Sequence, residues 1–128
     1  EIKPETKFGA NTRFDFLVLK KKYKAFIEVK NVTLSRKGKT AEFPDSITSR
    51  GLKHINELVK ASKKNYKIFI LYLIQRDDCK SFAIAKDIDP AYAAALTKAI
   101  KKKLNIICYD CKFSTKGIKL NNKINFKI

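Results

Sequence analysis

The sequence has 128 residues, 45% of them hydrophobic, enough for one compact domain with a core and too few for two ordinary ones. Its formal net charge of +17 suits a polyanionic partner, because each phosphate neutralised by Lys or Arg releases condensed counterions, although an excess of 25 Lys over 4 Arg equally matches AT-rich coding bias. No apolar run reaches the roughly 18 residues of a membrane span, the start EIKPETK lacks the form of a signal peptide, and three cysteines do not make a secreted disulfide framework, so a cytoplasmic protein without membrane contact is expected.

In chain order, alternating residues predict strands near Lys3–Phe8, Thr12–Leu19 and Ala25–Leu34. A polar loop, SRKGKTAEFPDSITSR, follows, and then a helix from about Ser49 to Lys64 capped by Thr48 or Ser49. KIFILYLI is a continuous apolar run, as in a central strand covered on both faces. DIDPAYAAALTKAIKKKL reads as a helix with Asp89 as N-cap, Pro90 at its first position and Lys101, Lys102 and Lys103 facing its negative end. NIICYDCKF and a terminal GIKLNNKINF give two more strands. The order β-β-β-α-β-α-β-β predicts an α/β domain with a mixed sheet, an antiparallel meander leading into parallel crossovers. Cys108 and Cys111, in CYDC, point to opposite faces of a strand and find no second ligand pair at zinc-finger spacing, so buried reduced thiols are expected. The chain begins without methionine and goes almost directly into strand-like sequence, as the C-terminal part of something longer would.

The hairpin Thr12–Leu34 carries the chemistry. With a turn at Lys20–Tyr23, opposite residues have numbers summing to about 43, which sets Asp15 across from Glu28. Cross-strand Cβ atoms lie only about 5 Å apart, so two like charges there destabilise the pair unless something offsets them. A divalent cation, Mg²⁺ or Mn²⁺, with waters and a phosphate completing its shell, does so; Glu5 is roughly opposite Asp15 and is a third candidate ligand. The alternative is that Arg13 and Lys30 neutralise two exposed acids. Glu28-Val29-Lys30 projects a carboxylate and an ammonium to one side, suiting metal activation of water beside a cation that stabilises a phosphorane. An acid on one strand and Glu-x-Lys on the next resembles the PD-(D/E)xK nuclease signature.

TRFDFLVL, IEVKNVTL, FPDSITSRGLKHINEL, QRDD and DIDPAYAAAL, in this order and spacing, resemble the bacterial and archaeal sugar fermentation stimulation protein A family across essentially the whole chain. The resemblance implies a restriction-endonuclease-like PD-(D/E)xK domain, usually preceded by an OB-fold-like domain. It also implies non-specific DNA binding and a regulatory role in sugar, notably maltose, metabolism. Carried onto this sequence, Asp15, Glu28 and Lys30 match the catalytic triad and Glu5 a recurring glutamate of the first strand.

In the first helix Leu52, Ile55, Leu58 and Val59 form the expected core stripe, with Arg50 and His54 at its edge. Arg50 suits a phosphate contact. His54 either assists the chemistry or is a structural hydrogen-bonding residue. Asp45 is a further candidate ligand or a loop-shaping residue, and Gln75 and Arg76 either meet ligand or close the central strand. For DNA contact the candidates are Arg13, Lys20, Lys21 and Lys22 at the hairpin, Arg36, Lys37 and Lys39 in the loop, and Lys53, with duplex or indiscriminate backbone binding expected since no aromatic platform is evident. Three readings stand: a metal-dependent nuclease, a non-catalytic DNA-binding regulator, and a protein-interaction domain whose lysines reflect genome bias.

Overall fold

A computed structural model describes residues 1–127. It contains strands β1 (Ile2–Phe8), β2 (Thr12–Lys20) and β3 (Tyr23–Val32), the short β4 (Leu34–Lys37) and β5 (Thr40–Phe43), helix α1 (Ser49–Ser62), β6 (Lys67–Ile74), β7 (Ser81–Ile84), helix α2 (Pro90–Lys101), and β8 (Leu104–Ser114), β9 (Gly117–Lys123) and β10 (Asn125–Lys127). Six strands form one sheet in the order β1-β2-β3-β6-β8-β9, and four form a second in the order β10-β7-β5-β4. In the first, β1, β2 and β3 run as an antiparallel meander, β6 and β8 join in parallel, and β9 returns antiparallel. The mixed α/β fold is therefore the expected one.

The second sheet departs from expectation. The polar segment 35–50 contains the hairpin β4–β5, and β7 pairs with β5 in parallel, Ala41 opposite Phe82. The terminal strand divides into β9, at the edge of the first sheet, and β10, beside β7. Strands of three or four residues holding Lys, Arg, Asn and Ser show too little alternation to stand out in sequence. They are stabilised by pairing and by the burial of Ala41, Phe82 and Ile84.

Strand β6 is central, but its faces differ. Ile68, Ile70, Tyr72 and Ile74 are buried among Ile55, Leu58 and Leu96 of the helices, whereas Phe69, Leu71 and Leu73 on the opposite face are half-buried. In α1 the buried stripe is Gly51, His54, Ile55, Leu58 and Ala61, while the expected members Leu52 and Val59 are only half-buried and line a recess shared with Ala91, Ala94 and Ala95 of α2. Gly51 is required by close packing, since a Cβ there would lie 2.9 Å from the Thr48 side chain and 3.1 Å from the Tyr92 ring. Thr48 caps α1 by accepting the Gly51 amide. Buried Asp89 caps α2 by accepting the Tyr92 amide at 3.0 Å, and its other oxygen accepts the Thr48 amide at 2.9 Å, so one carboxylate joins the starts of both helices. Tyr72 and Tyr92 share a hydroxyl–hydroxyl bond of 2.5 Å in the core between sheet and α2. Cys108 and Cys111 are buried and free, as expected. Among the described residues no helix is long and apolar enough to cross a membrane.

Candidate functional site

The β2–β3 register follows the sum of 43 from Lys20↔Tyr23 to Phe16↔Ile27, and β1–β2 pairs with a sum of 20 on both sides of Glu5. Glu5, Asp15 and Glu28 thus fall on one row across three strands, as the sequence predicts. That row is where the ladder opens. Asp15 N donates to Glu28 Oε1 at 3.3 Å and Val29 N donates to Asp15 Oδ2 at 2.7 Å, so side chains take the place of strand-to-strand bonds. Glu5 adopts a left-handed φ of 46°. The alternation of β2 breaks here: Phe14 and Leu17, three apart, are both buried, and the Phe14 ring lies 4.7 Å from that of Phe26.

Asp15, Glu28, Val29 and Lys30 line one recess of about 250 Å³ with Arg13, Arg50 and His54. Strand β3 supplies Glu28 and Lys30 on the helix-covered face, and the first two turns of α1 supply Arg50 and His54. Glu28 is only 2% exposed, and its Oε2 makes no well-formed hydrogen bond among the described residues. That oxygen lies against Nδ1 of His54 and 3.7 Å from Lys30 Nζ. Lys30 Nζ is itself 3.0 Å from the same His54 nitrogen. One ring nitrogen therefore serves two neighbours: protonated, it donates to Glu28; bare, it accepts from Lys30. His54 thus lines the recess in contact with both.

The electrostatics separate the two acids. Burial raises Asp15, and the adjoining Glu28 carboxylate adds to that, bringing its pKa up to about 6. Burial also works against ionised Glu28, but the contacts with His54, Asp15 and Lys30 outweigh it and hold its pKa down at about 2. Lys30 is lowered from the ordinary lysine value, first by burial and further by the positive field of Arg50, with Glu28 and Asp15 opposing. Opposed shifts of this kind accompany acid–base and metal sites and also structural ion-pair networks.

The remaining candidates separate clearly. Glu5 is exposed and lines a neighbouring recess with Pro4, Asp15, Phe16, Val29 and Asn31, so it is not brought to Glu28. Among the described residues no group of three or more His, Cys, Asp and Glu side chains forms a cation site. Asp45 is exposed on the loop before α1. The Arg36 guanidinium is taken up by Glu42, at 2.6 Å, and by Asp87, at 2.8 Å, so it is a structural bridge within the small sheet rather than an open phosphate contact. Lys37 and Lys39 flank that hairpin turn, Arg76 pairs with Asp78 and the carbonyl of Thr33, and Gln75 donates to Asn31. Lys20, Lys21 and Lys22 are exposed at the β2–β3 tip. Lys53 Nζ donates to the carbonyl of Asn11 at 3.0 Å. Sequence reading named Arg50 and Lys53 but missed the lysine-lined groove beside α1 that Lys53 shares with Lys60, Lys63 and Lys64; the signal was the helical spacing of Arg50, Lys53 and Lys60.

The family model described as the sugar fermentation stimulation protein RE domain matches residues 1–117. The chain belongs to this family. It is 51% identical over 123 residues to the sugar fermentation stimulation protein homolog of Pelagibacter ubique, covering 96% of this chain and 53% of that protein. Identity to the Roseobacter denitrificans homolog is 42% over 128 residues, 99% of this chain and 54% of the relative. The chain spans about half the length of the curated relatives it matches. A solved structure, described as that of Pyrococcus furiosus SfsA in complex with Ca²⁺, superposes with a TM-score of 0.89 at 28% identity, covering 98% of this chain and 54% of that one.

Proposed function

We propose that the chain is a restriction-endonuclease-like domain that binds DNA through its backbone and carries, in the recess of Asp15, Glu28 and Lys30, a divalent-cation-dependent phosphodiester-cleaving site. The observation that carries this reading is the pair of facing carboxylates with acidities driven apart beside a partly buried lysine. A hairpin that presents Asp on one strand and Glu-x-Lys on the next, against the parallel strand β6, supports the fold assignment.

The donor set fits a hard cation. Asp15 and Glu28 offer carboxylate oxygens, and buried Oε2 of Glu28 lacks a well-formed partner. The Pyrococcus protein is described with Ca²⁺. For this chain Mg²⁺ or Mn²⁺ is proposed, with waters and a phosphate completing a shell that two side chains alone cannot fill. Such an ion supplies a polarised phosphate and a more acidic water. The chain's own residues do the rest. Arg50, exposed at the rim, holds a phosphate oxygen through its planar donors. Lys30 orients the attacking water and meets the negative charge that develops on the phosphoryl oxygens. His54 sets the position of Lys30 and Glu28 through its shared nitrogen.

The name that the relatives carry refers to sugar fermentation, and a regulatory part in sugar metabolism is proposed as a consequence of DNA binding. The test is one gel: plasmid and linear DNA with the purified chain at physiological salt, in Mg²⁺, Mn²⁺ or EDTA. Cleavage that needs the cation and disappears in Lys30→Ala is expected. Retardation without cleavage in any cation leaves a binding module, the second reading, which the large positive charge supports.

A further inference from the structure

Beyond the acidic recess lies a second groove, between α1 and the turn joining β1 to β2. Its walls are Phe8 to Thr12 on one side and Lys53, Glu57, Lys60, Lys63 and Lys64 on the other, around about 670 Å³. Groove and recess share no lining residue but draw on neighbouring positions: Thr12 and Lys53 line the groove, Arg13 and His54 the recess. Arg50, Lys53, Lys60 and Lys64 are exposed; at about 100° per residue the first three fall within about 80° of one another on α1, and Lys64 lies in the turn just beyond its end. Glu57, the acid in this wall, is met by Lys60 at 3.1 Å. The Lys64 ammonium lies 5.5 Å from the centre of the Phe8 ring.

Resting on the DNA-binding reading, we propose that this groove carries an unpaired nucleic-acid strand and leads it past Arg50 into the recess. Charge complementarity selects a polyanion. The geometry selects its form. From Arg50 to Lys60 the helix rises about 15 Å in a nearly straight line, and Lys64 follows in the turn just after its end. That rise is nearly half of the roughly 34 Å turn of a duplex, in which either strand winds away from a straight track. An unpaired strand can follow the track for its whole length, with its phosphates on the lysines and the backbone groups of Gly9–Thr12 within reach of its sugars and bases.

The experiment measures anisotropy of a labelled oligonucleotide, as a single strand and as its duplex, in EDTA over a salt series. The intact chain is compared with a groove variant (Lys53→Gln, Lys60→Gln, Lys64→Gln), a hairpin-tip variant (Lys20→Gln, Lys21→Gln, Lys22→Gln) and a far-edge variant (Lys112→Gln, Lys119→Gln, Lys123→Gln). Each variant loses three charges, so a loss due to net charge alone is equal in all. The expected result is single-strand affinity at least about tenfold lower in the groove variant alone, and a salt slope shallower by about 2, at roughly 0.7 for each phosphate no longer neutralised. Equal losses in the three variants, a loss confined to the hairpin tip, or tighter binding of the duplex by the intact chain each overturns the proposal. Should the groove variant melt early, Lys60→Gln alone, which keeps the Lys53 bond to Asn11, is expected to weaken single-strand binding, and no change overturns the proposal. An intact chain that binds no DNA at physiological salt removes the DNA-binding reading itself, a failure distinct from the others.

Discussion

Two clusters of opposite charge in this molecule look similar in composition and behave differently. In the small sheet, Arg36 meets Glu42 and Asp87 with donors matched to acceptors, and both carboxyls are held below their ordinary range by it. In the recess of the large sheet, Asp15 and Glu28 adjoin each other, a lysine and a carboxylate share one histidine nitrogen, and a buried oxygen lacks a well-formed partner. The first arrangement is satisfied and needs nothing more. The second is left incomplete by its own chain, as expected of a site that a ligand completes.

The largest expected effect separates the clusters by activity. Glu28→Gln or Lys30→Ala lowers cation-dependent cleavage by at least about 10²-fold, as expected for groups acting on the reacting phosphate; rates within a few-fold of the intact chain would make the recess structural. Next comes stability. Arg36→Ala leaves Glu42, only 5% exposed, without its cation, so the melting temperature falls by several degrees at neutral pH. An unchanged melting temperature would remove the structural role assigned to the bridge.

Acid titration sharpens the contrast, because the signs differ. Glu42 and Asp87 have lowered pKa values in the fold, so their contribution is present above the ordinary carboxylate range and is lost as pH falls through the lowered values. Asp15 is raised to about 6 from 3.8, so its cost to the fold is absent below about pH 4, grows between about pH 4 and 6 and is complete above that. Asp15→Asn therefore stabilises the cation-free chain at pH 7.5, on the order of 1 kcal/mol after solvent screening, and has little such effect at pH 4. Thermal melts at both pH values check this, and equal shifts would dissociate Asp15 from the titration. By the same proton, Mg²⁺ or Ca²⁺ binding, followed by calorimetry, weakens below about pH 6 in the intact chain.

Much of the site was legible in the sequence because a hairpin with a short turn leaves little freedom of register. Once Lys20 faces Tyr23, the positions of Asp15 and Glu28 follow, and those of Lys30 and Val32 with them. Spacing could not show that the ladder opens at this row, since the cause is side chains bonding to backbone amides. Nor could it show that Glu5 turns to the other recess, because that depends on a backbone angle. Arg36 read as one more basic loop residue, and its partner Asp87 is 51 positions away. His54 was visible as a helix-edge residue, but its contact with Glu28 depends on how α1 packs across β3.

The placing of α1 depends on Asp89. Every residue lining the acidic recess lies within the first 54 positions, yet the helix that brings Arg50 and His54 to it is pinned at its start by a carboxylate 41 positions after Thr48. A ribosome that has released the chain only as far as α1 has delivered every residue lining the recess without the clasp that aligns the helix. The recess thus depends on a contact from outside it: the residue that caps α2 also fixes the start of α1, although α2 contributes no lining residue.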